Sequence, residues 1–460
     1  MMAATGDEGA QPAASDIAAR LDALPVTPLH RIILVVCALG LLFDVIEAGL
    51  GNALSAVFSA PPYRVAPFQL SLLLASVFAG GVIGAPALGW FADRYGRRLA
   101  LGTALMAVAM TSLLAATSTD VTWLTICRTL SGFALGAYPP LMAAYLADVL
   151  PPARRGRLIL ISAAIGFLGA PAVVFLMRWL TPLAPLGYEG WRWTLVIGAI
   201  GAAVVGVVFR WLPESPRWLA ATGRHTEAEA ACQRFEQSAG MRPALSPAHA
   251  LAPEMPSTPQ ADRSFWSPAG QRYRLRAALI SALYFLSPWA TIGFPLLSGA
   301  VLIEKGFRVT DSLLYLGVAM FGPSAGALAA SFFIDRVERR TALAFSAGAM
   351  ALIGLVFAVS TLPLPLVMLG VAFNLIGSVY IVALSVYDAE LFPTAMRASV
   401  SSTTWAVNRV ASAIVPLALL PLLKSAGALA MFSVIAAALA ASIVLLTACG
   451  PRGLTRKPVE

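Results

Sequence analysis

The chain has 460 residues, of which 58% are hydrophobic and only 12% are charged, and its mean hydropathy is +0.78. A soluble globular surface needs roughly twice that share of charged residues, so the composition excludes a soluble enzyme or binding domain. The net charge of +9 would suit nucleic acid only if the basic residues formed one soluble face, and here they fall mainly in alternate loops. We therefore expect a protein that spans a lipid bilayer and binds no nucleic acid.

Apolar stretches of about 20 residues or more, long enough to cross the hydrocarbon core of a membrane, recur along the whole chain. They predict an all-α membrane protein with about 12 transmembrane helices. Their approximate ranges are 31–59, 68–92, 99–118, 121–147, 158–180, 193–212, 277–303, 312–334, 341–360, 364–391, 400–423 and 426–449. We expect residues 31–212 and 277–449 to form two six-helix bundles, with a cytoplasmic N-terminal segment at 1–30, a polar cytoplasmic central loop at 213–276 and a cytoplasmic tail at 450–460. Helical spacing near residues 223–240 predicts a short surface helix in that loop.

Basic residues mark one side of the membrane. Under the twelve-span count they concentrate in the loops of one side, whereas the other side has few, such as Arg64, Lys305 and Arg308. The rich side carries Arg97, Arg98, Arg154, Arg155, Arg157, Arg217, Arg224, Arg339, Arg340, Arg397 and Arg452. This asymmetry predicts that the rich side and both termini are cytoplasmic, with the chain in the inner (cytoplasmic) membrane.

A charged motif occurs twice at one fixed offset. The residues Asp93, Arg94, Arg97 and Arg98 recur 242 positions later as Asp335, Arg336, Arg339 and Arg340. At the same offset, Asp148 and Arg155 recur as Glu390 and Arg397. Two motifs that agree on one offset indicate two halves with one plan, which is typical of transporters. Because these groups lie at helix ends, we expect them to gate the protein by bridging neighbouring spans in one state and separating in another.

Four ionisable residues stand out inside the predicted spans: Asp44 and Glu47 in the first, Arg128 in the fourth and Arg409 in the eleventh. Insertion of a charged side chain at the bilayer centre costs about 2.5 to 3.5 kcal/mol of free energy. We therefore expect each of these residues to have a function. Asp44 and Glu47 are three residues apart and share a helix face, where one carboxylate could take and release a proton. A permanent structural ion pair is the alternative for either acid.

The two arginines have different expected partners. Arg128 lies about 10 Å from the outer end of its span, and Glu47 lies in the outer half of the first span, so the two could meet. Arg409 lies about 16 Å into its span, near the midplane, and its planar guanidinium matches a carboxylate. We expect Arg409 to bind a carboxylate substrate; the alternative is that it neutralises a fixed acid such as Asp388.

Aromatic and amide residues are further candidates for lining the cavity. Tyr and Trp combine apolar area with one hydrogen-bond donor, which suits a ring-bearing acid, although each could instead serve helix packing or anchor the membrane interface. The candidates are Tyr138, Tyr284, Trp289, Asn374, Tyr380 and Asn408.

The sequence has no Walker loop, no GxGxxG after a strand and no HExxH, and its four cysteines are scattered without metal-binding spacing. We therefore expect no enzyme activity, no cofactor and no metal. The expected partners are a small molecule, a proton and the lipid bilayer, and we expect a monomer.

The pattern GxxxDRxGRR at residues 89–98, between the second and third spans, resembles the signature of the major facilitator superfamily. The segment PESPRWL at 213–219 is similar to the sugar porter branch. RLDALP at 20–25 and FDVIEAG at 43–49 more closely resemble bacterial metabolite and aromatic-acid proton symporters, including nicotinate porters, with Glu47 in place of an Asp. The resemblance implies two pseudo-symmetric six-helix bundles and an ion pair in which protonation of Glu47 frees Arg128.

Together these features predict a proton-coupled symporter that imports a small organic acid, with aromatic acids among the candidates, by alternating access between two bundles. A sugar or polyol proton symporter is the first alternative, because of PESPRWL, and a proton-driven drug or metabolite exporter is the second. A receptor that does not transport is disfavoured, because a sensor would not require titratable groups inside its spans.

Overall fold

The computed structural model describes residues 10–136, 138–240, 271–333, 337–392 and 394–451. Over these residues the chain is almost entirely α-helical and contains no strand. The helices are α1 Ala10–Ala23, α2 Pro28–Ser59, α3 Pro67–Tyr95, α4 Arg97–Ala116, α5 Val121–Leu135, α6 Tyr138–Val149, α7 Pro152–Phe167, α8 Gly169–Leu183, α9 Gly190–Val208, α10 Pro216–Ala221, α11 His225–Ser238, α12 Gln271–Thr291, α13 Gly293–Glu304, α14 Val309–Ala319, α15 Gly322–Phe333, α16 Arg339–Val359, α17 Pro363–Leu391 and α18 Thr394–Cys449.

Twelve membrane-crossing segments follow from these helices. Ten segments of the described chain are long and apolar enough to cross a membrane. The fourth span is additional, because α5 and α6 flank residue 137 and together cover its length. The last counted segment, Thr403–Cys449, holds two spans, because α18 turns at Gly427, whose φ of +80° favours glycine. The predicted all-α, twelve-span fold is confirmed.

Several spans that the sequence analysis drew as continuous are interrupted. The helix of the fifth span is interrupted at Leu168, that of the seventh at Ile292, and that of the eighth between α14 and α15. Glycine opens the second part of each, and at Gly169 an added Cβ would stand 2.2 Å from the carbonyl oxygen of Leu42. These glycines let neighbouring helices approach closely, and the packing across the break supports the altered backbone.

The first bundle consists of α2–α9 and the second of α12–α18, and we call the end that carries Arg97, Arg98, Arg339 and Arg340 the basic face. The halves pack through α2 against α13, α8 against α14, α3 against α18, and α7 against α15.

The two halves are bonded to each other at the end opposite the basic face. Asn52 Nδ2 donates to Met320 Sδ at 3.6 Å, and Arg178 Nε donates to the carbonyl oxygen of Thr310 at 3.1 Å. Gly299 lies against Asn52 so closely that a Cβ would come within 3.1 Å of its carbonyl oxygen. Both hydrogen bonds join the first bundle to the second at that end.

The N-terminal segment contains a helix that the sequence analysis did not predict. Helix α1 packs against α10 and against α11, the helix that was predicted in the polar loop. Arg20 Nη1 and Nη2 donate to Glu229 at 2.7 and 2.9 Å, and Arg20 Nε donates to Glu236 at 2.9 Å. Since one guanidinium binds two carboxylates, Arg20 joins the N-terminal segment to the central loop on the basic face.

We expect Arg20→Ala to release α1 from α11. Hydrogen bonds from Arg20 hold the pKa of the Glu229 carboxyl below its ordinary value. A carboxyl whose folded pKa is lowered contributes stability above its unfolded pKa of about 4.3, and loses that contribution as the pH falls through the folded value. Limited proteolysis of α1 should therefore be faster for the variant near neutral pH, and the difference from wild type should shrink below about pH 4.

The matched control is Arg224→Ala, which removes an exposed pair with Glu227 on α11. Such surface pairs contribute little, so α1 should stay protected in this variant. Equal protection of the Arg20 variant and the wild type near neutral pH would contradict the proposed attachment.

Candidate functional site

Glu47 and Arg128 form a buried ion pair inside the first bundle. Arg128 Nη1 donates to Glu47 Oε1 and, at 3.0 Å, to the carbonyl oxygen of Glu47. Ser112 Oγ donates to Glu47 Oε2 at 2.7 Å, and Ser131 Oγ donates to Oε1 at 2.8 Å. The side chains of Glu47 and Arg128 are 5% and 2% exposed. The carboxylate therefore has three donors from α4 and α5, and it joins α2 to both helices.

Asp44 and Arg409 face each other from opposite bundles. Asp44 lies about 24 Å along α2 and Arg409 about 22 Å along α18, both measured from the basic face. They are close enough to interact electrostatically, but no ion pair joins them. Asp44 Oδ1 and Arg409 Nε are buried without a hydrogen-bond partner among the described residues. The Arg409 stem lies 3.9 Å from where a Cβ on Gly81 of α3 would stand, so it reaches the first bundle.

Trp405, which the sequence analysis missed, lies beside Arg409. The guanidinium of Arg409 is 4.9 Å from the centroid of the Trp405 ring, a cation–π distance. Tyr284 meets the same indole edge to face, with centroids 6.4 Å apart. One signal could have found this tryptophan: it precedes Arg409 by four residues, one helical turn, and therefore shares its face.

Asn408 and Tyr284 lie with this group, and Asn374 does not. Asn408 Nδ2 donates to the carbonyl oxygen of Tyr284 at 3.1 Å and to Ser287 Oγ at 3.0 Å. Asn374 Nδ2 donates to the carbonyl oxygen of Gly370 at 2.9 Å, within its own helix. Both amide groups therefore donate hydrogen bonds to atoms of the second bundle.

The remaining aromatic candidates occupy different places. Tyr138 interacts electrostatically with Asp44, and its hydroxyl donates to the carbonyl oxygen of Cys37 at 3.3 Å. Tyr380 is fully buried, and its hydroxyl lies near Ser442 in the last span. Trp289 is partly buried, and its Nε1 has no hydrogen-bond partner among the described residues. Of these three, Tyr138 lies next to the facing charges.

The predicted gating residues of the first half form a network on the basic face. Arg97 Nη1 donates to Asp93 at 2.8 Å, and its Nε lies 3.6 Å from Asp148. The backbone N–H of Arg98 donates to Glu214 at 3.0 Å. Arg155 donates to the carbonyl oxygen of Leu150 and interacts electrostatically with Asp148, whereas Arg94 lies over the rings of Trp90 and Tyr95.

Described residues of the second half form corresponding contacts on the basic face. Arg339 pairs with Glu390 at 3.1 Å, and Arg340 donates to the carbonyl oxygens of Thr447 and Gly450. Asp335 and Arg336 lie outside the described residues, and the side chain of Arg397 is not described either. The recorded contacts of both networks stay within one half, so their role in gating remains a prediction.

We expect Glu47→Gln to destabilise the protein, because it leaves the Arg128 charge buried without a counter-ion, at a cost of about 3 kcal/mol or more. Adding Arg128→Met should recover most of the loss, since the second substitution removes the unpaired charge. Thermal unfolding in detergent measures both effects, and Asp311→Asn at the exposed start of α14 is a control. A double variant no more stable than the single one would contradict the pairing.

Comparisons with known proteins agree with this architecture. Residues 48–452 match the family described as sugar (and other) transporter. The niacin transporter NiaP of Acinetobacter baylyi is 24% identical over 435 residues, covering 94% of this chain and 97% of NiaP. The gallate transporter of Pseudomonas putida is 27% identical over 410 residues, covering 86% of each chain.

The xylose transporter XylE of E. coli, in a partially occluded inward-open conformation, has the same fold. Its TM-score is 0.70 at 16% identity, and the match covers 93% of this chain and 99% of XylE. The family match, the twelve spans and this shared fold lead to one conclusion. The chain belongs to the sugar (and other) transporter family of the major facilitator superfamily, and it is a membrane transporter and not an enzyme.

Proposed function

We propose that this transporter is a proton-coupled symporter for a small organic acid, in which Arg409 binds the carboxylate and Asp44 carries the proton. The observation that carries the proposal is the pair of facing charges from opposite bundles, each with a buried polar atom that lacks a hydrogen-bond partner among the described residues. Buried polar groups are almost always paired, so such exceptions call for an explanation. A substrate that binds between the bundles supplies one.

Charge neutrality explains why proton and substrate travel together. In the empty site, ionised Asp44 balances Arg409. In the fully loaded site, the substrate carboxylate balances Arg409 and the proton neutralises Asp44. A site with only the anion, or only the proton, holds an unpaired charge in a low-dielectric interior, which is costly. Only the empty and fully loaded transporter can therefore close readily around the site and change its orientation.

Glu47 and Arg128 take a supporting role in this proposal. The Glu47 carboxylate already accepts hydrogen bonds from three side chains of its own bundle, whereas Asp44 faces the other bundle. The pair fixes α2 one helical turn from Asp44 and so sets where the proton-carrying acid lies. The family resemblance instead implies that Glu47 is the acid that takes up the proton, and comparison of variants at both acids distinguishes the two assignments.

The relatives support a carboxylate substrate. NiaP is named a niacin transporter and the Pseudomonas putida protein a gallate transporter, and both compounds are aromatic carboxylates. By the positive-inside rule we assign the basic face to the cytoplasm of the inner membrane. This assignment places both termini in the cytoplasm.

A sugar substrate is the second candidate, because the family is that of sugar and other transporters and XylE is a xylose transporter. The sugar-porter-like segment lies away from the site, however. Trp218 Nε1 donates to the carbonyl oxygen of Asp93, and Ser215 donates to Asp148, both on the basic face. Sugar hydroxyls need groups that donate and accept in similar number, whereas Arg409 only donates.

Uptake of labelled benzoate into proteoliposomes tests the proposal. Neutral benzoic acid crosses bilayers unaided, so uptake is measured as the initial rate above that of protein-free vesicles, and an inward proton gradient should raise this protein-dependent rate. Asp44→Asn should abolish the protein-dependent response to the gradient and spare protein-dependent exchange of benzoate, because a permanently neutral residue mimics the protonated acid. Asp311→Asn serves as the control, since Asp311 pairs with Arg308 at an exposed helix start.

The outcomes separate the alternatives. If Asp44→Asn concentrates benzoate normally, and Glu47→Gln loses accumulation while it still exchanges benzoate and so remains folded, Glu47 is the proton carrier. If the wild type responds to a proton gradient with xylose and with no carboxylate, the transporter is a sugar symporter and the proposal is wrong. Extrusion of benzoate against its gradient would instead identify an exporter.

A further inference from the structure

Trp405 has two features that helix packing does not explain. Its ring face supports the Arg409 guanidinium at 4.9 Å, on the same helix and one turn away. Its Nε1 is buried and has no hydrogen-bond partner among the described residues. The indole N–H is a donor only, and a buried donor without an acceptor is rare in native proteins. A lipid-facing or purely structural tryptophan would not need to combine both features.

We infer that Trp405 contacts the substrate, that its ring selects an aromatic acid, and that its N–H donates to a hydrogen-bond acceptor on that acid. The inference rests on the proposed function, because it takes Arg409 as the carboxylate-binding residue. It adds a specificity-determining residue on α18 and a chemical class, namely a flat carboxylate that carries a second acceptor.

The geometry of the aromatic side chains supports selection of a ring. A carboxylate bound to Arg409 has its attached carbon skeleton next to the indole on which the guanidinium lies. Tyr284 meets that indole edge to face, so two aromatic surfaces border the position. Aromatic rings gain from offset and edge-to-face contacts that a saturated ring of the same size cannot make. A benzene or pyridine ring should therefore bind better than a cyclohexane ring.

The unpaired N–H of Trp405 favours a substrate that carries a hydrogen-bond acceptor. The nearby amide of Asn408 does not accept this hydrogen bond, because Trp405 Nε1 has no partner among the described residues, and the Asn408 Nδ2 group is itself a donor, to Tyr284 and Ser287. A ring nitrogen, carbonyl or hydroxyl oxygen of the substrate would fill this role. An acid that lacks any acceptor beyond its carboxylate leaves the N–H unsatisfied, and sites built around a hydrogen bond reject such analogues.

Three acids and two substitutions test the ring and the N–H separately. Benzoate and cyclohexanecarboxylate differ in aromaticity, whereas pyridine-3-carboxylate and benzoate differ in one acceptor. Trp405→Phe keeps an aromatic ring and removes the N–H; Trp405→Leu removes both. Trp179→Phe is the matched control, because Trp179 is 63% exposed on the surface of α8. The measurement is kcat and KM of proton-driven uptake in proteoliposomes for each acid and variant.

The wild type should prefer benzoate over cyclohexanecarboxylate, and pyridine-3-carboxylate over benzoate, each by about 5- to 10-fold in kcat/KM. Trp405→Phe should keep the first preference and lose the second, with the loss expressed as a higher KM for pyridine-3-carboxylate. Trp405→Leu should lose both preferences, and Trp179→Phe neither.

If Trp405→Phe keeps the pyridine preference, the N–H does not contact the substrate and the inference is overturned. It is equally overturned if the wild type has neither preference while it still accumulates benzoate with protons, a result that leaves the proposed function intact. A wild type that takes up none of the three acids contradicts the proposed function, and this inference with it.

Discussion

An ionised group inside a membrane must find a counter-charge or a ligand, and this constraint separates the four charged residues into two kinds of pair. Glu47 and Arg128 form an ion pair within the first bundle, and two serines donate further hydrogen bonds to the Glu47 carboxylate. Asp44 and Arg409 belong to different bundles and face each other without an ion pair. The first pair can hold helices together through every state. The distance between Asp44 and Arg409 changes whenever the two bundles move relative to each other. Substrate binding at this pair is therefore linked to the movement of the bundles.

The two halves fill equivalent positions with different chemistry. At the 242-residue offset, Glu47, Ser112, Arg128 and Ser131 correspond to Trp289, Gly354, Gly370 and Phe373. In the second half this region is aromatic: Phe294 stacks on Phe373 with centroids 4.0 Å apart and meets Phe357 and Phe432. One backbone plan is therefore stabilised by a buried ion pair in one bundle and by aromatic packing in the other. The titratable acid that we propose for coupling lies in the first half, and the carboxylate-binding arginine in the second.

Hydropathy and the 242-residue offset were sufficient to predict the fold. Repeated helices begin at matching positions, such as Arg97 and Arg339 or Pro152 and Thr394. The breaks at Leu168 and Ile292 could not be predicted, since they depend on which backbone packs across them. Isolated charges in apolar helices identified the residues of both pairs. Trp405 and the two serines were missed, because tryptophan and serine are common in membrane spans and only their neighbours in space reveal what they bind.

The central claim is that the site is neutral when empty and neutral when it holds both a proton and a carboxylate. Uptake of labelled benzoate into proteoliposomes with a clamped membrane potential tests it most directly, with proton entry recorded in the same vesicles. For the uptake that exceeds the entry of benzoic acid into protein-free vesicles, the account predicts one proton per benzoate and a rate that responds to the pH gradient and not to the potential. Benzoate uptake driven by the membrane potential alone, with equal pH on both sides, would contradict it, because a net charge would then cross with each substrate.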